Sequence, residues 1–390
     1  LKFGGLAETV SKMAFGNHIG ARLKEMPFEK LFGLDYGSIL LEISDWVDPE
    51  EAFSGLDYEV IGETIVEPAI LFNGNRLSLE EMLEAWQETL EPIFPTKTDE
   101  DTGKVPAYAF KDRARADNPS KAPVTRPRVF IPVFPGTIYE YDVKRKFEEA
   151  NALVDLFVMK NLTARDVDAS VEEMKKRIDE CQIMMIPGGF NAGDGPEGSG
   201  KFIATVFKNP LLAEAIMDLI KKRDGLILGI SSGFQALVKL GLLPYGEIRD
   251  QDENSPTLTL NTIGRHVSRL ATTRVASNLS PWLAKTGVGQ ICTVAVSHGE
   301  GRFVASDQLL RELELNGQIA TQYVDPDGNP TMEAPYNPNG SVMAIEGITS
   351  RDGRIFGKMG HDERYAHHTF INVPGEKDQR IFEAGVEYFL

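Results

Sequence analysis

Two cysteines in 390 residues are too few for a disulfide-stapled fold, and no C-x-x-C pair exists to hold zinc. Cys181 and Cys292 stand in apolar, strand-like contexts (C-Q-I-M-M-I and I-C-T-V-A-V), as buried free thiols of a reducing compartment do. Positive charge is also short. Against 58 Asp and Glu there are 41 Lys and Arg, a net charge of −17, which argues against nucleic acid as a partner. No apolar run approaches the ~20 residues of a membrane span, and no basic-then-apolar leader opens the chain. These absences predict a cytoplasmic protein with neither a membrane nor a nucleic-acid partner. The first residue is Leu1, not Met, so the sequence is expected to begin after processing or to be a piece of a longer one.

What is present suits an ordinary globular chain. Hydrophobic residues at 42% and charged residues at 25% can build cores, and the length allows two or three of them. Residues 1–97 carry 7 Lys/Arg and 18 Asp/Glu, so −11 of the charge sits in the first quarter and marks a separate module. There, Leu6 to Phe15 has helical periodicity after a glycine pair, and residues 38–43 and 61–66 read as strands. Residues 79–90 read as a helix capped by Ser78, with Glu81 completing a capping box. This α+β block starts abruptly, as a domain that has lost its opening strands would. Residues 98–127 are polar and rich in Pro, Lys, Arg and Asp, and read as a linker running over a surface.

From Arg128 onward strands alternate with helices, the signature of an open parallel α/β sheet. The strands are expected at residues 129–133, 156–159, 182–186 and 226–230, and the helices at 141–150, 171–179, 211–221 and 233–240. Ligands in such sheets bind beyond the carboxyl ends of the strands. Four loops there carry chemistry. The stretch D-G-L-I-L-G-I-S-S-G-F-Q turns from strand to helix within two residues between small neighbours, which is the pattern of a nucleophile elbow with Ser231 as nucleophile. An ordinary βα turn has the same composition, so the elbow needs its neighbours. P-G-G-F-N-A-G-D (187–194) offers backbone amides to a ligand, or simply turns tightly. S-H-G-E-G-R-F (297–303) packs His, Glu and Arg around two glycines, for a polar ligand or as a solvated loop. In G-H-D-E-R-Y (360–365), an extended backbone would turn His361 and Glu363 to one side, a general base and the acid that orients it. The other readings are a surface strand end, or half of a metal site with His367 and His368. That cluster lacks a third well-spaced ligand, so no metal is expected.

Taken together, the elbow, the G-G-F loop, S-H-G-E-G-R-F and H-D-E-R resemble the class I (triad) glutamine amidotransferase domain of the phosphoribosylformylglycinamidine synthase family. P-V-F-P-G-T and G-S-G-K-F-I extend the likeness over residues 128–390. Residues 1–97 resemble the end of that family's AIRS-like synthetase domain, through G-G-L-A-E, Y-G-S-I-L-L-E-I and L-E-E-M-L-E-A-W. The resemblance implies a flavodoxin-like glutaminase domain behind a partial AIRS-like α+β module, and the release of ammonia from glutamine. The ammonia would serve an ATP-dependent conversion of formylglycinamide ribonucleotide to its amidine, in de novo purine biosynthesis.

By the same resemblance the nucleophile falls on Ser231, the histidine on His361 and the acid on Glu363. Gly189 and the amides of Phe190 and Ser232 would form the oxyanion hole. Gln235, His298, Gly299 and Glu300 would surround glutamine. ATP and Mg would belong to the synthetase part, mostly outside this chain, and the partners would be glutamine and the rest of the synthetase. Two departures stand out. The family has cysteine where this chain has Ser231, and commonly Asn-Cys where it has Ile138-Tyr139. A serine alkoxide forms far less readily than a thiolate, so an impaired glutaminase is expected. A non-catalytic pseudo-glutaminase and a serine hydrolase using Ser231, His361 and Glu363 are the rival readings.

Overall fold

The computed structural model describes residues 1–96, 98, 104–111, 119–190 and 200–390. The chain divides into two compact units, Leu1–Thr96 and Lys97–Leu390.

The first unit has a four-stranded sheet of β1 (Gly20–Leu23), β2 (Gly62–Ile65), β3 (Ala69–Phe72) and β4 (Asn75–Ser78), in the order β2-β1-β3-β4. β1 runs parallel to β3 and the other pairs are antiparallel. Leu6, Val10 and Ala14 recur every four residues on the Gly5–Asn17 helix and so line one face. That face packs with Leu23, Ile70, Phe72 and Leu79. Two expectations fail here. Residues 38–43 form no strand, and Ile39 and Leu41 stand exposed, because no neighbouring strand takes up their backbone. Ser78 does precede the Leu79–Glu88 helix, but its side chain makes no capping hydrogen bond.

The second unit is built on β5 (Arg128–Val133), β6 (Leu153–Val158), β7 (Ile183–Ile186), β8 (Leu226–Ile230), β9 (Thr257–Thr259), β10 (Val267–Val275), β11 (Ile291–His298), β12 (Arg302–Val304), β13 (Ile319–Tyr323), β14 (Ile345–Thr349) and β15 (Ile355–Lys358). Nine of them form one sheet, ordered β11-β10-β13-β14-β15-β8-β7-β5-β6, while β9 and β12 pair separately. From β15 to β6 every pairing is parallel. From β11 to β15 every pairing is antiparallel. Counted along the chain, the parallel half has the flavodoxin-like order 2-1-3-4-5.

Successive side chains on a strand alternate between faces, and the core follows that rule. Phe130, Met184 and Ile227 join the apolar layer on one side of the sheet. Val129, Ile131, Ile183, Leu226 and Leu228 join Trp282, Phe356 and Phe382 in the layer on the other. The helices Glu140–Glu149, Ala164–Glu180, Pro210–Lys221 and Ser232–Lys239 cover these faces. A further helix, Lys201–Phe207, was not anticipated from the sequence. The described part of residues 98–127 is strapped to this unit: the Phe110 amide donates to the Ala276 carbonyl at 2.9 Å, and Ser120 to Tyr388 at 2.7 Å.

Candidate active site

β8 delivers the chain to Ser231, whose backbone takes φ 55 and ψ −114 before the Ser232–Lys239 helix begins. A non-glycine residue in that region costs about 1–3 kcal/mol and is held only by its surroundings. Two hydrogen bonds hold it: the Ser231 amide donates to the Lys358 carbonyl at 2.9 Å, and its carbonyl accepts from the Gln235 amide at 3.1 Å. Gly233 lets the helix approach, since a Cβ there would lie 2.0 Å from the Ile186 carbonyl oxygen. Ser231 is therefore fixed at the carboxyl end of β8 and at the amino end of a helix, where backbone amides favour negative charge.

The loop after β7 crosses the loop after β5 in a short antiparallel bridge, Thr137 against Gly189. Its hydrogen bonds run from Phe190 N–H to Gly136 at 2.9 Å and from Ile138 N–H to Gly188 at 3.4 Å. This corrects the expected oxyanion hole, because the Phe190 amide is already committed to Gly136, and its ring stands exposed. Gly189 alternates with the bonded residues, so its backbone groups turn the other way, toward the elbow. There its carbonyl accepts the Ser232 hydroxyl. Gly189 has φ 153, and a Cβ would meet the Gly136 oxygen at 2.3 Å, so only glycine fits. The amides of Gly189 and Ser232 are the candidate donors that remain.

β15 ends at Lys358, and His361 follows, its amide bonded to Ala295 of β11 at 2.8 Å. The next residues form a 3-10 turn, Asp362–Arg364, in place of the extended segment expected. The turn still brings the pair together: His361 Nδ1 lies 2.5 Å from Glu363 Oε1, both side chains fully buried. With Nδ1–H donating to the carboxylate, Nε2 is left as the basic nitrogen. Nε2 is buried and has no hydrogen-bond partner among the described residues. Gly188 locates it: a Cβ there would lie 2.9 Å from His361 Cε1 and 3.1 Å from Ser231 Cβ. Ser231 and His361 thus flank one point without a hydrogen bond between them.

The S-H-G-E-G-R-F loop is pinned from beneath. Asn261 donates to the His298 carbonyl at 2.9 Å and accepts from the Gly301 amide at 3.1 Å, while Asn339 donates to Gly301 at 2.8 Å. Gln235, on the elbow helix, donates its side-chain amide to the Glu300 carbonyl and so joins the two loops. The Gly299 carbonyl accepts from the Asn261 amide at 2.9 Å. His298 is buried, and neither ring nitrogen has a partner among the described residues. Burial above all, then the charges of His361 and His266, pulls its pKa down to about 3, so the ring is neutral.

Several neighbours lay outside the sequence motifs. The Tyr139 ring sits 4.5 Å from that of His361, centre to centre, with the Arg364 guanidinium 5.4 Å beyond. Arg145 donates to the Glu363 carbonyl at 2.8 Å. His266 contacts Ser297 at 3.1 Å, and its ring centre is 5.8 Å from that of Phe190. Nothing in spacing or composition pairs these residues; the loops do so only once the sheet is assembled. Residues 191–194 of the P-G-G-F-N-A-G-D motif and 198–199 of G-S-G-K-F-I lie outside the described residues. Among the described residues no three His, Cys, Asp or Glu side chains gather to hold a metal ion. No helix among them is long and apolar enough to cross a membrane.

A hydroxyl on an elbow, an imidazole backed by a carboxylate and two amides with no acceptor among the described residues are the parts needed for acyl transfer. The family model that matches residues 126–389 is described as a CobB/CobQ-like glutamine amidotransferase domain. The phosphoribosylformylglycinamidine synthase subunit PurQ of Methanococcus maripaludis strain S2 is 35% identical over 283 residues, 67% of this chain and 97% of that one. The subunit of the same name from Aquifex aeolicus strain VF5 is 32% identical over 232 residues, 60% of this chain and 88% of that one. A solved structure of PurLQS from Thermotoga maritima aligns over 68% of this chain and 100% of that chain, with TM-score 0.49 and 22% identity. By its domain and by these relatives, this chain belongs to the glutamine amidotransferase family, in the branch of the phosphoribosylformylglycinamidine synthase glutaminases.

Proposed function

We propose that this chain binds glutamine and serves as the ammonia-supplying part of a phosphoribosylformylglycinamidine synthase, with a turnover limited by its serine nucleophile. Ser231 is the attacking group, His361 Nε2 takes its proton, and Glu363 holds and charge-stabilises the imidazole. The amides of Gly189 and Ser232 receive the oxyanion. His298, Gln235, Gly299 and Glu300 border the glutamine. The ammonia passes to a companion synthetase, where ATP and Mg serve the ligase step, and residues 1–97 are read as the end of that AIRS-like domain. The carrying observation is the strained backbone of Ser231 beside a buried His361–Glu363 pair 2.5 Å apart.

The pseudo-glutaminase reading draws on Ser231 in place of the family's cysteine and on the lack, among the described residues, of a hydrogen bond from His361 Nε2. Ser231→Cys decides between them. The variant gains a nucleophile of lower pKa at a helix amino end, so it should form a glutamine-derived thioester visible by mass spectrometry. Glutamate release should rise on the order of 10³-fold. The assay is run with and without the synthetase supplied. No thioester and no glutamate in either case would leave the pseudo-glutaminase reading in place.

A further inference from the structure

Behind the His361–Glu363 pair lies a group of buried charges that the chemistry above does not use. Lys358, the last residue of β15, has a fully buried side chain. Its ammonium donates to Asp362 and, at 2.5 Å, to Gln379 Oε1, with Glu346 at 4.0 Å. Each partner is held in turn. Glu346 accepts from the Thr321 hydroxyl and from the Gly360 amide at 2.6 Å, and Gln379 donates to the Thr273 hydroxyl at 3.2 Å. Asp362 is the residue between His361 and Glu363. Through its backbone, Lys358 also receives the Ser231 amide. One residue thus grips the nucleophile's elbow with its carbonyl and the acid–base turn with its side chain.

An apolar residue at this position would fill the space without desolvating a charge. A buried ion pair seldom stabilises a fold more than a well-packed apolar pair does. What the ion pair supplies is direction: the ammonium has one arrangement that satisfies Asp362 and Gln379 together. A short 3-10 turn has few backbone bonds of its own, so an anchor at its middle residue sets where its flanking side chains project. We infer that Lys358 is a positioning residue, whose ammonium fixes Asp362 and thereby the turn that presents His361 and Glu363 to Ser231. The inference rests on the proposed triad.

The test separates the inference from that reading by measuring the pair itself as well as turnover. The full chain is labelled with ¹⁵N-histidine, and the His361 Nδ1–H resonance is identified by its loss in His361→Ala. The key, paired variant carries Lys358→Met together with Asp362→Leu, with Glu346→Gln and Gln379→Leu beside them, so that neither a buried charge nor the acceptor at Gln379 Oε1 is left orphaned. It should melt cooperatively near the parent temperature, yet its Nδ1–H resonance should shift or exchange away. In the Ser231→Cys background, kcat for glutamine should fall about tenfold to a hundredfold, as a small misplacement of reacting groups does, with KM within about twofold. Asp362→Asn, which keeps an oxygen for the ammonium, should retain more of both signals than the paired variant. A paired variant with unchanged resonance and kcat overturns the inference. So does one that no longer folds, since Lys358 would then serve stability instead of alignment. If Ser231→Cys gives no glutaminase activity, the functional reading fails and the resonance alone decides the role of Lys358.

Discussion

His298 makes the acid sensitivity of this fold calculable. An exposed histidine titrates near pH ~6.5. His298 is buried with neither ring nitrogen partnered, and its pKa is pulled down to about 3. Between those values the unfolded chain binds a proton that the folded chain refuses, so stability must fall as the pH falls through the window. The contribution is fully present above pH ~6.5 and is lost progressively toward the folded value. At pH 4.5 the difference spans about two pH units, or about 3 kcal/mol. Replacing His298 by Asn removes the titration, whatever fixed cost its poorer packing adds. Urea unfolding at pH 7 and pH 4.5 separates the two effects, because the fixed cost cancels in the difference. Trp282 is the convenient reporter, fully buried in the second unit, whereas Trp46 and Trp86 are exposed in the first. The parent should lose about 2–3 kcal/mol more than His298→Asn on acidification. Equal losses would refute the reasoning and would mean that the ring is protonated, or reaches water, in the folded chain.

The remaining expectations concern the elbow and the thiols. Gly233→Ala should cost about 3 kcal/mol or more in a urea titration and should depress glutamine binding. The new Cβ would meet a backbone oxygen that cannot swing aside. A wild-type stability would mean that the helix can withdraw from β7. Cys181 is buried, which pushes its thiol up to about 12, and Cys292 is likewise pushed up by burial. Neither should react with a thiol reagent at pH 8 while the chain is folded, and Ser231→Cys should add one reactive thiol. Labelling at Cys181 or Cys292 under native conditions would contradict their burial.

The parallel half of the sheet was largely legible because β5, β7 and β8 are short apolar runs, and β8 matches its expected range of residues 226–230. β6, by contrast, carries Asp155 and spans Leu153–Val158 instead of the expected 156–159. The antiparallel half gave less away. Only β11, the apolar run before S-H-G-E, declared itself, through the strand-like context of Cys292. At residues 38–43 the apolar stretch S-I-L-L-E-I suggested a strand that needed a neighbour and has none among the described residues. The spacing of His361 and Glu363 was right while the backbone between them was not, since two residues apart is a short reach in a tight turn as well as in a strand. Phe190 shows the opposite case. Its motif follows β7 as expected, but its amide is claimed by a loop more than fifty residues earlier in the chain. Tyr139, His266 and Lys358 carry no local signature; their partners are set by tertiary assembly.

The position of β15 governs when the active site can come into existence. β15 is the last strand of the sheet to be synthesised, yet it occupies the middle, between β14 and β8. During synthesis, β5 to β8 can pair as soon as they emerge, and the elbow can form on β8. Its far edge stays open until residues 355–358 arrive, more than a hundred residues later. Only that insertion seats the Ser231 amide on Lys358 and brings the base-bearing turn alongside. A growing chain therefore displays Ser231 without the His361–Glu363 turn beside it, and on the function proposed above proton transfer should wait for the step that closes the sheet. On that reading nascent or C-terminally clipped chains should release no ammonia until β15 is in place, and shielding one unpaired strand would protect reaction and fold together.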